Sequence, residues 1–376
     1  MPEYARSTPK ADSLPLAGGR KAALQRLHAI DPVRYAKTRN GLDGDATRLS
    51  AYLRHGCLSL AECRDHALQN HKRHQVEKFI NELGWRDFYQ RVWDHVGDKV
   101  WKDLEPWKTG HGPGDYADEL PEDILNAETG VDWVDHFARE LHETGYLHNH
   151  ARMWIAAYVV HARRVKWQAG AEWFLEHLLD GDEASNSLSW QWVASTFSHK
   201  PYIANRGNVV KYSGDRFDTH AKNDPTDKSY EQLNDDYFTN GEGGDGQNVN
   251  WKVDVEPSQQ TTSGDVALVW DDALRETNPA LEATGGKGVF MWNANGWTDK
   301  RKTFVDQCLA ELPGVEVVDE LPNAKLVTLR SPDPAHKKLV EQHHIAVIDD
   351  EPFAAIDGVV DLKRFSRYWN KAKKVV

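Results

Sequence analysis

The sequence predicts a two-part protein: an all-helical domain followed by a small α/β domain whose sheet is parallel and Rossmann-like. Three observations carry that expectation. From Gly19 to about Ser213 nearly every segment repeats apolar residues at spacings of three and four, as in LSLAECRDHALQNHKRHQVEKFINELGWRDFYQRVWDHV and HARMWIAAYVVHARRVKWQAGAEWFLEHLL. From residue 214 the composition turns acidic, glycine-rich and poor in apolar residues, as in NDDYFTNGEGGDGQN. After residue 264 short apolar runs alternate with amphipathic segments: VALVW, GVFMW, VEVVDEL, KLVTL and IAVID, separated by TDKRKTFVDQCLAEL and DPAHKKLVEQHH.

The expected boundaries follow. Residues 1–19, rich in Pro, Ser and Gly, form a frayed N-terminus. Residues 20–213 form the helical domain, interrupted by a Gly and Pro loop from Trp107 to Asp123. Residues 214–264 form a linker with at most one short helix near Ser229 to Phe238, and residues 265–376 form the α/β domain, closed by the basic helix VDLKRFSRYWNKAKKVV. None of its strands is followed by a glycine-rich phosphate fingerprint.

The chain has 376 residues, enough for two domains with separate cores, and a net charge of −12, which argues against nucleic-acid binding by bulk electrostatics. Any such binding would need a local basic groove. Three cysteines, Cys57, Cys63 and Cys308, have neither zinc nor redox spacing and read as small buried or half-buried residues. With no run of about 18 apolar residues and a polar, charged start, MPEYARSTPKADS, the expected location is cytoplasmic. Fifteen tryptophans against three methionines are more than packing calls for; indoles stack on planar rings and carry electrons.

The densest chemistry lies in HLLDGDEASNSLSWQWVASTFSHKPY, His177 to Tyr202. Asp182, Asn186 and Trp190 recur every four residues and would line one helix face, polar and then aromatic, while Trp192 points elsewhere. Such a stripe suits a planar, hydrogen-bonding, redox-active ring; a capped helix with plain aromatic core is the simpler explanation of this segment alone. In ATRLSAYLRHG, Thr47 and Ser50 stand where a helix start can hold a phosphate. NELGWRDFYQRVW carries Asn81, Glu82, Trp85 and Arg86, and TGYLHNHARMW carries His148, Asn149, His150, Arg152 and Met153. The spacing of His142, His148 and His150 is poor for a metal site, and none is expected. GxSxG, HExxH and P-loop motifs are missing from the sequence.

Taken in order, TRLS, NELGWRDFY, TGYLHNHARM and DGDEASNSLSWQW resemble the FAD-binding helical domain of the DNA photolyase and cryptochrome family, over nearly all of residues 20–207. VALVWDDALRETNPALEA, Val266 to Ala283, looks like the first strand and turn of that family's antenna domain. There the antenna domain usually comes first, so the resemblance implies a circular permutation that moves it to the C-terminus.

By that resemblance Tyr35, Thr47, Leu49 and Ser50 hold the flavin phosphates; Arg48, Asn81, Arg86, Asn149, Arg152, Asp180 and Asp182 complete the FAD site. Asn186 faces flavin N5, and Trp190 with Trp167 forms the inner part of an electron-transfer chain whose outer member the sequence leaves unassigned. Glu82, Trp85, Asn149, Met153 and Trp192 match all five positions of a pocket for a flipped cyclobutane pyrimidine dimer, with Arg39, Arg54, Lys200 and Arg206 as candidate phosphate contacts.

The implied activity is blue-light-driven, FADH⁻-dependent dimer repair in single- or double-stranded DNA by a monomer, with Glu82, Asn186, Trp190 and Trp167 as catalytic residues. A cryptochrome-like photoreceptor is the alternative. The resemblance leaves room for a second, antenna chromophore in the α/β domain and assigns no residue to it.

Overall fold

The computed structural model of the chain describes Ala11 and residues 14–255, 264–294 and 296–376. The helical half comprises α1 (Arg20–Ala29), α2 (Pro32–Thr38), α3 (Ser50–Arg54), α4 (Leu60–Asn70), α5 (Arg73–Val96), α6 (Glu122–Leu125), α7 (Asp132–Thr144), α8 (Asn149–Ala157), α9 (Trp167–His177), α10 (Glu183–Ala194) and α11 (Arg206–Ser213). Local chemistry sets several of the starts. Asp31 accepts from the amides of Val33 and Arg34 ahead of Pro32, Ser59 and Glu62 form a reciprocal capping box, and Asp182 caps α10 through Ala184 and Ser185. A core of Trp107, Trp133, Phe137, Trp154, Trp167, Phe174 and Trp190 fills the space around α7 to α10, which explains where much of the tryptophan surplus goes.

The α/β half is a five-stranded, wholly parallel sheet in the order β4 (Val315–Val317), β3 (Gly288–Phe290), β2 (Val266–Val269), β5 (Leu326–Leu329), β6 (Ala346–Ile348). All five strands fall on the apolar runs the sequence singles out. The helices α13 (Pro279–Ala283), α14 (Asp299–Leu309), α15 (Pro334–His343) and α16 (Phe365–Ala372) follow or flank them. The chain order leaves β2 on one side toward β3 and on the other toward β5, so the strand order reverses at β2.

The tract between the halves holds the expected short helix, α12 (Tyr230–Tyr237), and also a strand that was not expected, β1 (Lys252–Val255). β1 pairs antiparallel with β7 (Gly358–Asp361), Lys252 opposite Asp361 and Val255 opposite Gly358. Four residues in an acidic context, with a partner about a hundred positions away, leave no local strand signal. At the other end, residues 14–19 were expected to fray, yet Gly18 and Gly19 donate backbone N–H groups to Gln307 Oε1 at 2.6 Å and Cys308 Sγ at 3.2 Å on α14, and the buried Arg26 gathers the carbonyls of Ala11, Leu14 and Pro15. Residues 1–10 lie outside the described residues, as does 256–263 of the expected linker.

The two halves share one apolar core that runs from Tyr52, Phe79 and Phe88 to Phe304, Val305 and Tyr368. Buried polar contacts cross the same boundary. Arg54 donates from Nη2 and Nη1 to Asp271 at 2.9 and 3.2 Å and from Nε to the Gly181 carbonyl at 2.8 Å. Arg301 also reaches Gly181 O, at 2.6 Å, and its guanidinium lies 3.9 Å above the Trp297 ring. The His55 ring lies between the carbonyls of Asp271 and Leu179, at 3.0 and 3.1 Å, and its single N–H can donate to one of them; burial pushes its pKa down to about 3. Cys57 and Cys308, both buried, meet here with sulfurs 3.4 Å apart. Among the described residues, no helix is long and apolar enough to cross a membrane.

Candidate functional site

A cavity of about 700 Å³ opens among α2, α3, α5, α8 and α10. Each of the four motifs lines it. The loop before α3 supplies Thr47, Arg48, Leu49 and Ser50; α5 supplies Lys78, Glu82, Trp85, Arg86 and Tyr89; α8 and the turn before it supply Tyr146, His148, Asn149, His150, Arg152 and Met153; α10 supplies Ser185, Asn186, Ser189, Trp190 and Trp192. Tyr35 and Arg39 close it from α2, and Asp180 from the turn ahead of α10.

The wall chemistry is polar at one end. Arg152 Nη2 donates to Asp180 Oδ2 at 2.9 Å, and the second oxygen of that buried carboxylate has no partner. Arg48 Nε, His150 Nδ1 and Ser185 Oγ are likewise buried, without partner, and line the same cavity. Four orphaned polar atoms around one space are what a polar ligand would satisfy. Arg48 adopts φ +51, in the left-handed region that side chains other than glycine seldom occupy. Its guanidinium and that of Arg152 lie 4.8 and 5.6 Å from the Tyr146 ring. Asn186 donates Nδ2 to the Ala171 carbonyl at 2.9 Å, which fixes the amide and leaves Oδ1 as its free, accepting end.

Burial sets the titration here. His148 caps α8 by accepting the His150 N–H at 3.1 Å and is pushed down to about 4 by burial and by its neighbour His150, so both rings are neutral at pH 7. Burial, reinforced by the Glu82 charge, drives the Tyr35 hydroxyl well above its ordinary value. Glu82 itself sits between cations: Lys78 Nζ at 2.6 Å and Arg39 Nε at 3.6 Å.

Glu82, Trp85, Asn149, Met153 and Trp192 all line this one cavity, with the Asn149 amide 3.6 Å from the Met153 sulfur. The far face of Trp85 is stacked on Phe365 of α16, centroids 3.9 Å apart and planes 12° apart. No sequence signal tied a residue 280 positions away to this wall.

Three expected site residues lie elsewhere. Asn81 does not line the cavity, because one residue along α5 from Glu82 is about 100° round the helix. Asp182 is buried and its carboxylate is spent: it takes Arg86 Nη1 at 2.6 Å, Gln90 Nε2 at 3.0 Å and the amides at the start of α10. It faces the neighbouring cavity between the halves instead, so the stripe of Asp182, Asn186 and Trp190 divides after its first member. Trp167 lies behind the wall, fully buried, one helical turn before Gly170, against which the Trp190 ring packs. Two of the expected phosphate contacts are also withdrawn. Arg206 is fully buried between Asp132 and Asp224, and Arg54 is the interdomain ion pair.

One aromatic residue was missed. Trp101, half-buried, stacks on Trp167 with centroids 6.2 Å apart and planes 11° apart, so Trp190, Trp167 and Trp101 lie in succession from the cavity outward. Carboxylates accept the two outer indole N–H groups, Asp103 from Trp167 at 2.7 Å and Glu183 from Trp101 at 3.2 Å. Trp101 ends a short 3₁₀ turn, Gly97–Trp101, too brief for any periodic pattern to have placed it.

Comparison with known proteins places this architecture. Residues 79–222 match the family model described as the FAD binding domain of DNA photolyase. The chain is 38% identical over 167 residues to the deoxyribodipyrimidine photo-lyase of Streptomyces griseus and 36% identical over 211 residues to that of Thermus thermophilus. These matches cover 43% and 54% of this chain but only 35% and 49% of the relatives, so the chain spans less than half of their length. Among solved structures, a Synechocystis cryptochrome matches 52% of this chain and 43% of its own, at 27% identity and a TM-score of 0.46. With its motifs lining one cavity, the helical half is similar to the FAD binding domain of DNA photolyase across α5 to α11.

Proposed function

We propose that the protein repairs cyclobutane pyrimidine dimers in DNA, driven by blue light and using FAD in its FADH⁻ state. The observation that carries this reading is that Glu82, Trp85, Asn149, Met153 and Trp192 line the same cavity as the orphaned polar atoms of Arg48, His150, Asp180 and Ser185. The residues present fit FAD. Arg48, Thr47, Leu49 and Ser50 offer cationic and backbone contacts for its phosphates, Arg152 with Asp180 offers a fixed donor and acceptor pair, and Asn186 Oδ1 offers an acceptor to a protonated ring nitrogen. When bound and reduced, FAD supplies on light absorption the electron that opens the cyclobutane ring and takes it back afterwards.

The chain's own residues do the rest. Trp85 and Trp192 present apolar faces that receive a flipped, stacked pyrimidine pair and exclude water from it. Glu82, kept in place by Lys78 and Arg39, is positioned to accept a hydrogen bond from a base-edge N–H and so to fix the flipped base. Trp190, Trp167 and Trp101 provide a route for electrons to the flavin site, with Asp103 and Glu183 stabilising positive charge on the two outer indoles.

The domain reading goes with this. Residues 20–213 act as the flavin and DNA unit and 265–376 as the antenna-type unit in permuted order, with an antenna chromophore left open. The test is binding: dimer-containing DNA should be held more tightly than undamaged DNA. Trp85→Ala should cost roughly 1–3 kcal/mol of that binding. Equal affinity for damaged and undamaged DNA would refute the dimer pocket. A photoreceptor without repair is the second reading; the internal ion pairs of Arg54 and Arg206, which withdraw two expected phosphate contacts, favour it.

A further inference from the structure

A protein of net charge −12 that grips DNA must concentrate its available cations beside the slot. Several cations of the helical half are engaged elsewhere, while Lys200 stays exposed. Arg54 and Arg206 are buried in ion pairs, Arg86 and Arg152 hold Asp182 and Asp180, and Arg39 faces Glu82. Another element packs against a wall residue of the slot: α16, from the far end of the chain, whose Phe365 stacks on Trp85.

The docking of α16 is specific. Phe365 stacks on Trp85, the Tyr368 hydroxyl donates to Asp87, and the Trp369 ring occupies the space where a Cβ on Gly84 would stand 2.4 Å from its nearest carbon. Gly84 therefore lets α16 lie directly against α5. Beyond the helix, Arg73 Nη1 donates to the Val376 carbonyl at 2.6 Å, so α16 and the last residues run along α5 from Trp85 back toward its start.

The exposed positions of α16 are Ser366, Arg367 and Asn370, with no acidic residue in the helix, and Lys373 and Lys374, also exposed, follow directly at its C-terminal end. Arg367 is paired with Asp361 and Lys371 is spent on backbone carbonyls. Lys373 touches only the neutral Asn370, and neither Lys373 nor Lys374 forms an ion pair among the described residues. Eight or nine residues separate them from Phe365, about 12–13 Å along a helix, the axial run of three to four phosphates of one DNA strand.

We propose that α16 is a phosphate-binding element: the α/β half grips the backbone of the DNA strand next to the slot through Lys373 and Lys374. The proposal rests on the reading of dimer-containing DNA as substrate. The test is the salt dependence of binding, by fluorescence anisotropy with a dimer-containing oligonucleotide, for the FAD-loaded protein and for the double variant Lys373→Gln, Lys374→Gln.

Two lost phosphate contacts should make the slope of log K against log salt shallower by about 1.4 on single strands or about 1.8 on duplex, and weaken binding roughly 25- to 60-fold near 0.1 M salt. The matched pair Lys287→Gln, Lys338→Gln, elsewhere on the α/β half, should keep the wild-type slope. An unchanged slope in the first pair, or an equal change in both, would overturn the proposal while leaving the slot intact. A wild-type protein that binds neither damaged nor undamaged DNA would instead remove the substrate reading itself.

Discussion

Arg54→Met removes one side chain at the seam of the two halves and should be felt at the flavin site. In the folded protein its guanidinium makes three bonds, two to Asp271 and one to the Gly181 carbonyl, and the Asp271 side chain is only 6% exposed. Removing the cation leaves a buried carboxylate unpaired, which costs about 3–5 kcal/mol. Taking out the partner as well, in Arg54→Met, Asp271→Leu, removes the stranded charge and should recover most of that loss.

Gly181 lies between Asp180, whose carboxylate lines the flavin cavity, and Asp182, which caps α10. The single variant should therefore also hold FAD less tightly. Urea unfolding of the flavin-free protein gives the energy, and equilibrium dialysis against FAD gives the affinity. A loss below about 1 kcal/mol, or a double variant no more stable than the single one, would refute the view that this pair joins the halves.

Three further outcomes follow from the same coordinates. Trp101→Phe should slow light-driven reduction of oxidised flavin several-fold while leaving dimer repair by pre-reduced protein unchanged; equal photoreduction rates would take Trp101 out of the electron route. Glu82→Ala should lower repair yield per photon with FAD content unchanged, and an unaltered yield would remove Glu82 from the reaction.

Acid should destabilise the fold. His55 is held at about 3, and His148, His161 and His336 at about 4, all buried and neutral, whereas in the unfolded chain they protonate near 6.5. Their stability contribution is present above pH 6.5 and is lost as pH falls toward 4, up to about 2 kcal/mol each by pH 5. Asp272, raised to about 7 by burial and the Asp271 charge, gains its proton in the folded state over the same interval and offsets about one of the four. A lower Tm at pH 5 than at pH 7.5 is expected; an unchanged or higher one would contradict the balance.

Much of this site was legible because its chemistry is local. Glu82 and Trp85 lie three apart on one helix, Asn186 and Trp190 four apart on another, and helix period alone puts each pair on one face. The five sheet strands were legible for the same reason, as short apolar runs between amphipathic helices. What the sequence hid is long-range. Arg54 with Asp271, Arg301 with Gly181 and Phe365 with Trp85 join residues more than a hundred positions apart, and nothing near a basic residue tells whether it will face a phosphate or a buried aspartate. Asn81 and Asp182 show the limit of periodicity in the other direction: each sits within a residue or two of a cavity-lining position and still points away. The strand β1 was hidden because it exists only through pairing with β7.

The central claim is that the cavity binds FAD and its mouth accepts a pyrimidine dimer for splitting. The most direct measurement is illumination of the reduced, FAD-loaded protein with an oligonucleotide carrying one cyclobutane dimer, followed by chromatographic counting of intact and split product. The account predicts that the dimer disappears under blue light and persists in the dark. Persistence of the dimer under illumination, with flavin bound and reduced throughout, would contradict it.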